Sequence, residues 1–248
     1  MIRRISSWTP QEIAVCTRDL FGTRTLGYLK TYGTETNAVG FYAQYVHAQC
    51  VGVLSDAFGH GALTTTSGAD MEEWKEFAAF LGLQSLLCAA KDARAMDFST
   101  ADCGHILRYF GSEQITQTPF ITPQHAAFSY REVYDLLCMC GFSLGEYAAW
   151  FGDFALRVRR NAARVLCVRA STTVATASVL FESDDAVYLG AVATHPDYRG
   201  RGFGGNLVQT LAQCGKRAEI MCKPHRVSFY EKLGFRQNGE FVLCPFSK

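Results

Sequence analysis

Residues 187–205 read VYLGAVATHPDYRGRGFGG, and this stretch decides how the chain is interpreted. Val187 to Ala193 is apolar and β-prone. Pro196 and Asp197 break the strand, and Phe203, Leu207 and Leu211 then recur at a helical spacing of four. Gly200, Gly202, Gly204 and Gly205 therefore fall at the first turn of a helix, where backbone N–H groups have no intrahelical partner. Such groups, aided by the helix dipole, bind phosphate. Glycine keeps side chains out of the way of a bulky pyrophosphate, and Arg199 and Arg201 add positive charge beside it. The candidate phosphate segment runs from Arg199 through Phe203 to Gly205. A purely structural turn also uses glycines, so the spacing alone does not decide between the two.

Gly200, Gly202 and Gly205 also satisfy the spacing of the dinucleotide-binding fingerprint, with Glu219 in reach as its ribose-binding acid. The context opposes that reading. In a dinucleotide fold the first glycine turns directly off the strand, whereas six residues including Pro196 separate Ala193 from Gly200. Glu219 begins the segment EIMC instead of ending a strand. Only 43 residues follow Gly205, too few for the rest of a doubly wound sheet. Nicotinamide binding is rejected.

The residues resemble the GNAT acetyltransferase superfamily, whose signature is Arg or Gln, two residues, Gly, one residue, then Gly or Ala. Arg199, Gly202 and Gly204 fill it. The segment PHRVSFYEKLGF, Pro224 to Phe235, is similar to the family's last helix, and the two motifs stand in family order. The resemblance covers roughly the second half of the chain. It implies acetyl-CoA as acyl donor, with its pyrophosphate on the glycine segment and its pantetheine on backbone groups of Val192, Ala193 and Thr194. It also implies that Tyr230 is the general acid, since a phenol is protonated at neutral pH and can donate to a departing thiolate. Ser228 is a second contact with weaker support. Lys223 and Arg226 stand about where the family often has an asparagine and a small residue, a departure from its pattern at this helix. No carboxylate lies on the strand from Val187 to Ala193, so no general base is assigned. Glu182, Asp184 and Asp185 read as solvated turn acids and His195 as structural.

Composition agrees with an ordered globular protein: 48% of the 248 residues are hydrophobic and 19% charged. Net charge is +1, so nothing global points to nucleic acid or an anionic membrane. Residues 1–123 carry 9 basic and 12 acidic side chains and residues 124–248 carry 15 and 11, so the half with the glycine segment is the basic one. The ten cysteines form no Cys-x-x-Cys pair and read as buried small hydrophobes without a metal. With no signal peptide and no apolar run of about eighteen residues, the chain reads as cytoplasmic. A homodimer is left open.

Along the first half, residues 11–30 read as a helix starting at Thr9 and Pro10. Strands follow at 41–47, 50–54 and 61–65, then a helix capped by Asp70 with Met71, Trp74, Phe77 and Leu81 on one face. Further strands are expected at 84–88 and 106–110. A Ser-, Thr- and Pro-rich stretch at 111–124 marks the boundary between domains 1–113 and 114–248. The second half opens with two aromatic-striped helices around 130–140 and 147–158. Strands at 165–169, 174–181 and 187–193 follow, then the glycine helix, a strand at 220–222, a helix at 225–233 and terminal β segments. Phe120 and Ile121 are candidates for its first strand. The expected fold class is α/β with a mixed sheet: a C-terminal GNAT acetyltransferase fold preceded by a smaller, degenerate GNAT-like α/β domain that lacks a phosphate site. The function this implies is acetyl transfer to a primary amine of a small molecule or peptide. The alternative is a non-catalytic acyl-CoA-binding module.

Overall fold

The computed structural model describes residues 1–98, 102–111, 121–122 and 128–246. The chain divides into two compact units. The first comprises Met1–Leu107, Met221–Val227 and Gln237–Lys248, the second Arg108–Ile220 and Ser228–Arg236. The last dozen residues thus belong with the first unit, whereas the sequence pattern assigns everything after residue 113 to the second domain. Each unit has a hydrophobic core of its own, and helices pack on strands in both.

In the first unit β1 (Ile2–Arg4) precedes two helices, α1 (Pro10–Cys16) and α2 (Leu20–Tyr32). The sequence pattern reads as one helix here, and the chain breaks it in two. Thr9 and Glu12 form a capping box at the start of α1. Asp19 then opens α2 by accepting from the Gly22 amide at 2.9 Å. Apolar periodicity runs through both helices and hides the internal cap. Next come β2 (Val39–Val46), β3 (Gln49–Ala57) and β4 (His60–Thr65), then α3 (Met71–Phe80), β5 (Ser85–Ala89) and α4 (Ala90–Ala95). β6 (Asp102–Tyr109) follows. Neither β1 nor α4 is foreseen from sequence; at three and six residues they are too short to show a period. Neighbouring strands from β1 to β4 are antiparallel, and β4 and β5 are parallel. Trp74, wholly buried, anchors α3 in a core with Leu54, Leu63, Leu86 and Met96.

After β6 the element order repeats along the chain. β7 (Ile121–Thr122) leads into α5 (Tyr130–Met139) and α6 (Tyr147–Arg159). β8 (Arg164–Arg169), β9 (Thr173–Glu182) and β10 (Ala186–Thr194) follow, then α7 (Phe203–Ala212), β11 (Arg217–Cys222), α8 (Val227–Glu231) and β12 (Phe235–Pro245). Ile121 supplies the first strand as expected, paired with Val168; Phe120 lies outside the described residues. Strands β7 to β10 are antiparallel neighbours, and β10 and β11 are parallel. The same strand–helix–helix–three-strand–helix–strand–helix–strand series therefore occurs twice along the chain, with a parallel pair at the same place in each. Within the first unit, β12 runs antiparallel to β5, with Val242 opposite Cys88.

Val133, Leu136 and Leu137 of α5 pack with Phe154 of α6 over Val165, Cys167 and Ala193. The aromatic stripes of these helices are core, as their spacing suggests, with Trp150 stacked on Phe154 at 5.1 Å. Glu132 ties α5 to the sheet. Its carboxylate accepts from the Thr173 hydroxyl at 2.8 Å and the Thr173 amide at 3.0 Å, and pairs with Arg169 at 3.1 Å.

Candidate active site

The site is built where β10 ends and α7 begins. β10 pairs with β11 from Ala186↔Arg217 to Leu189↔Ile220, and the pairing stops there while β10 continues to Thr194. On its other side β10 follows β9, but the register slips between Gly190 and Ala193, where two β10 residues stand opposite one of β9. Ala191, one of those two, has φ +51°, a left-handed conformation that alanine adopts at a cost of about 1–2 kcal/mol. Nothing in an Ala-Val-Ala sequence announces this bulge, and sequence reasoning missed it.

Beyond the bulge the pairing resumes, and the His195 amide donates to the Val174 carbonyl at 2.8 Å. Strand alternation then turns the main-chain groups of Thr194 away from β9. The Thr194 carbonyl accordingly accepts from Arg199 Nε at 3.2 Å and from the Cys140 thiol at 3.5 Å. Thr194 and Val192 direct their side chains at α7, whereas Ala191 and Ala193 pack on the α5 side. The end of β10 is thus lined on both faces within the second unit.

The glycine segment forms as its spacing predicts. Gly200 and Gly202 have φ +76° and +79°, a region that favours glycine. Gly202 is the N-cap of α7 and offers no side-chain acceptor; the first helical bond runs from Asn206 N to the Gly202 carbonyl. The amides of Phe203, Gly204 and Gly205 precede that bond and lack a capping side chain, which makes this helix start a ready anion site. A Cβ on Gly204 would lie 3.2 Å from Thr194 Oγ1, and one on Gly205 3.1 Å from Leu233 Cδ2. These two glycines let α7 approach β10 and the Leu233 side chain closely. A Cβ on Gly200 would meet nothing within 4 Å, so its role is conformational.

The arginines are oriented by the loop itself. Arg201 donates to the Asp197 carbonyl at 3.2 Å and lies over the Tyr198 ring at 4.9 Å. Arg199 and Arg201 are both exposed beside the glycines. His195 accepts from the Asp197 amide at 3.3 Å and caps the short 3-10 turn Pro196–Tyr198, which fits its structural reading.

Tyr230 lies on α8 and is 7% exposed. Its ring meets Phe229 at 4.9 Å and Phe235 at 5.9 Å. Ser228, by contrast, is exposed. Lys223 is committed to Asp102 and to the Cys103 carbonyl, so it serves the first unit's own structure. Glu182 is not a solvated turn acid: it sits half-buried at the end of β9 in ion pairs with Arg164 at 3.0 Å and Lys216 at 2.9 Å. Glu219, the acid of the rejected dinucleotide reading, is buried on β11 and bound by Arg108 at 2.9 Å.

The corresponding place in the first unit is chemically opposite. Asp70 caps α3 by accepting from the Glu73 amide at 3.0 Å. Glu73 in turn accepts from the Ile2 amide at 3.0 Å and Gln44 Nε2 at 2.7 Å, and pairs with the N-terminal ammonium at 3.1 Å. This helix start is occupied by its own chain and carries acidic side chains at Asp70, Glu72 and Glu73, which repel phosphate.

Among the described residues no group of three or more His, Cys, Asp or Glu side chains converges, and no helix is long and apolar enough to cross a membrane.

Residues 161–237 match the acetyltransferase (GNAT) domain family. No curated protein matches the chain. Among solved structures, a GCN5-related N-acetyltransferase from Sphaerobacter thermophilus superposes with a TM-score of 0.60 at 12% identity, covering 98% of this chain and 94% of its own. A tandem GNAT protein from the clavulanic acid biosynthesis pathway gives 0.58 at 14%, covering 98% and 97%. A GNAT-family acetyltransferase from Colwellia psychrerythraea gives 0.55 at 13%, with full coverage of both chains. At these identities the likeness establishes the fold. Residues 161–237 are thus similar to a GNAT domain, and the fold of the chain is like that of the tandem GNAT protein.

Proposed function

We propose that the protein is an acetyl-CoA-dependent N-acetyltransferase that moves an acetyl group to a primary amine of a small molecule or peptide. The observation that supports this most is the uncapped, glycine-built start of α7 beside the end of β10, where β10 has left β11. The segment Arg199, Gly200, Arg201, Gly202, Phe203, Gly204 and Gly205 would hold the pyrophosphate of CoA. Backbone groups of Val192, Ala193 and Thr194 would hold the pantetheine as an added strand. The neutral amine then attacks the acetyl carbonyl carbon as the carbon–sulfur bond breaks. The Tyr230 phenol supplies the proton to the CoA thiolate, the nitrogen loses its proton to solvent, and solvent reprotonates the phenoxide. No side chain is assigned as base. In this reading residues 114–248 are the catalytic domain, and the N-terminal domain, residues 1–113, whose matching helix start is acidic, has no CoA site.

A non-catalytic acyl-CoA-binding module is the competing reading, and the burial of Tyr230 favours it. Purified protein incubated with acetyl-CoA and a panel of amines distinguishes the two. Acetylated product carries the enzyme reading, CoA binding without turnover carries the module, and failure to bind CoA sinks both. Ten free thiols accord with a reducing compartment, and a cytoplasmic location is part of this reading.

A further inference from the structure

The Thr194 carbonyl, at the end of β10, has both of its lone pairs taken: Arg199 Nε donates to it at 3.2 Å and the Cys140 thiol at 3.5 Å. The two donors are held very differently. Cys140 closes α5, where its amide donates to the Leu136 and Leu137 carbonyls, each at 3.0 Å, and its side chain packs against the core of the second unit. Arg199 stands on an exposed turn. Its amide donates to the Pro196 carbonyl at 3.2 Å, which fixes the backbone, while its side chain lies in the open. A Cβ on the next residue, Gly200, would meet nothing within 4 Å, so there is room beside it. The partner of the Arg199 guanidinium is a neutral carbonyl. A phosphate outcompetes such an acceptor, because hydrogen bonds between charged groups are about twice as strong. Arg201, by contrast, is committed to the Asp197 carbonyl and the Tyr198 ring.

We propose that Arg199 is a specificity-determining residue that makes recognition of a pantetheine arm conditional on phosphate. The inference rests on the acetyl-CoA reading of this site. With the guanidinium on the Thr194 carbonyl, an incoming pantetheine amide finds no lone pair there, and the added strand lacks one of its main-chain bonds. A pyrophosphate at the start of α7 draws the guanidinium to itself. The carbonyl is released, and the pantetheine N–H takes the vacated lone pair. The exchange leaves every group bonded: the carbonyl trades a guanidinium for an amide, and the guanidinium trades a neutral acceptor for an anionic one. Cys140, fixed by its helix, keeps the other lone pair. Acyl donors that carry a pyrophosphate therefore bind with the arm in register, whereas thioesters with the same arm and no phosphate meet an occupied carbonyl.

The test is the coupling between the two halves of the ligand, read by calorimetric titration of the full-length protein with CoA and with pantetheine, the latter with and without inorganic pyrophosphate. On unaltered protein, saturating pyrophosphate should tighten pantetheine binding about three- to tenfold, as expected for releasing one charge-assisted hydrogen bond at an exposed site. R199M keeps the stem and loses both donor and charge. Pantetheine alone should bind it about three- to tenfold more tightly than the unaltered protein, pyrophosphate should no longer help, and CoA, which loses a phosphate contact, should not gain. R201M removes a neighbouring charge that does not touch the carbonyl; it should weaken CoA and leave pantetheine alone unchanged. Circular dichroism verifies both folds, and the pyrophosphate coupling on unaltered protein decides even if a variant misfolds. A residue that only binds phosphate, or only supports the turn, would not improve pantetheine binding when removed. If pantetheine affinity is unmoved by pyrophosphate and by R199M, or pantetheine binds neither protein at millimolar concentration while CoA binds, the proposal is overturned and the CoA reading stands. If CoA does not bind the unaltered protein, the CoA reading itself fails and takes this inference with it.

Discussion

Gly202→Glu tests the phosphate site most directly, because its structural cost is separable from its cost in binding. Gly202 sits at φ +79°, and a Cβ there meets only Asn206 Nδ2 at 3.8 Å. The fold therefore bears a backbone penalty of about 1–2 kcal/mol and no clash. Gly215 is a matched control: it has φ +76°, a Cβ on it would meet nothing within 4 Å, and it lies after α7, away from its start. Gly215→Glu should cost the same in stability. A carboxylate at the α7 start is itself favourable toward the helix dipole, so the unliganded Gly202 variant should unfold no more easily than the control. Binding should diverge. The carboxylate competes for the amides of Phe203, Gly204 and Gly205, each worth about 1.5–3 kcal/mol to a charged acceptor. Losing two of them costs about 3–6 kcal/mol, or roughly a hundredfold to ten-thousandfold in CoA affinity. Calorimetric titration with CoA, with circular dichroism to verify the fold, reads this out. If the Gly202 variant binds CoA within about threefold of the Gly215 control, the pyrophosphate does not sit on this helix.

The same titration on unaltered protein should give one CoA per chain, because the α3 start is capped by Asp70 and closed by Glu73; a second equivalent site would refute the reading of the first unit. Tyr230→Phe keeps the ring contacts with Phe229 and Phe235 and should cost on the order of 1 kcal/mol in stability. With an acceptor amine in hand, turnover should fall about a hundredfold to ten-thousandfold at a nearly constant Michaelis constant, and retained turnover would make Tyr230 a packing residue. Glu132→Gln addresses pH. The Thr173 hydroxyl and, less, its amide and Arg169 hold the Glu132 carboxyl below its ordinary 4.5. A depressed folded value stabilises above 4.5 and loses that contribution as pH falls through it. The unfolding midpoints of the two proteins should differ near neutrality and converge in acid; a gap that persists at low pH would assign the effect to packing.

What could be read from the amino-acid order was most of what has its cause within a few residues, the Asp19 cap between α1 and α2 being the exception. Thr9 with Pro10 and Glu12, Asp70 and Ser129 start helices because each side chain caps amides two or three positions ahead. Short β-prone runs place β2, β4, β8 and β9, and the glycines after Arg199 place the turn that opens α7, since only glycine takes the left-handed backbone there cheaply. Only the tertiary structure decided which strands become neighbours. β propensity says that Phe241 to Cys244 is extended, but not that it will lie against β5, and so the pairing of Val242 with Cys88 has no local signature. The bulge at Ala191 is likewise set by sheet register: β10 must follow β9 on one side and leave β11 on the other, and the strain falls on an alanine that by itself prefers neither. Caps and turns are short-range hydrogen-bond problems that a sequence solves locally, whereas pairing and register minimise the free energy of a whole sheet, where the deciding partner stands far along the chain.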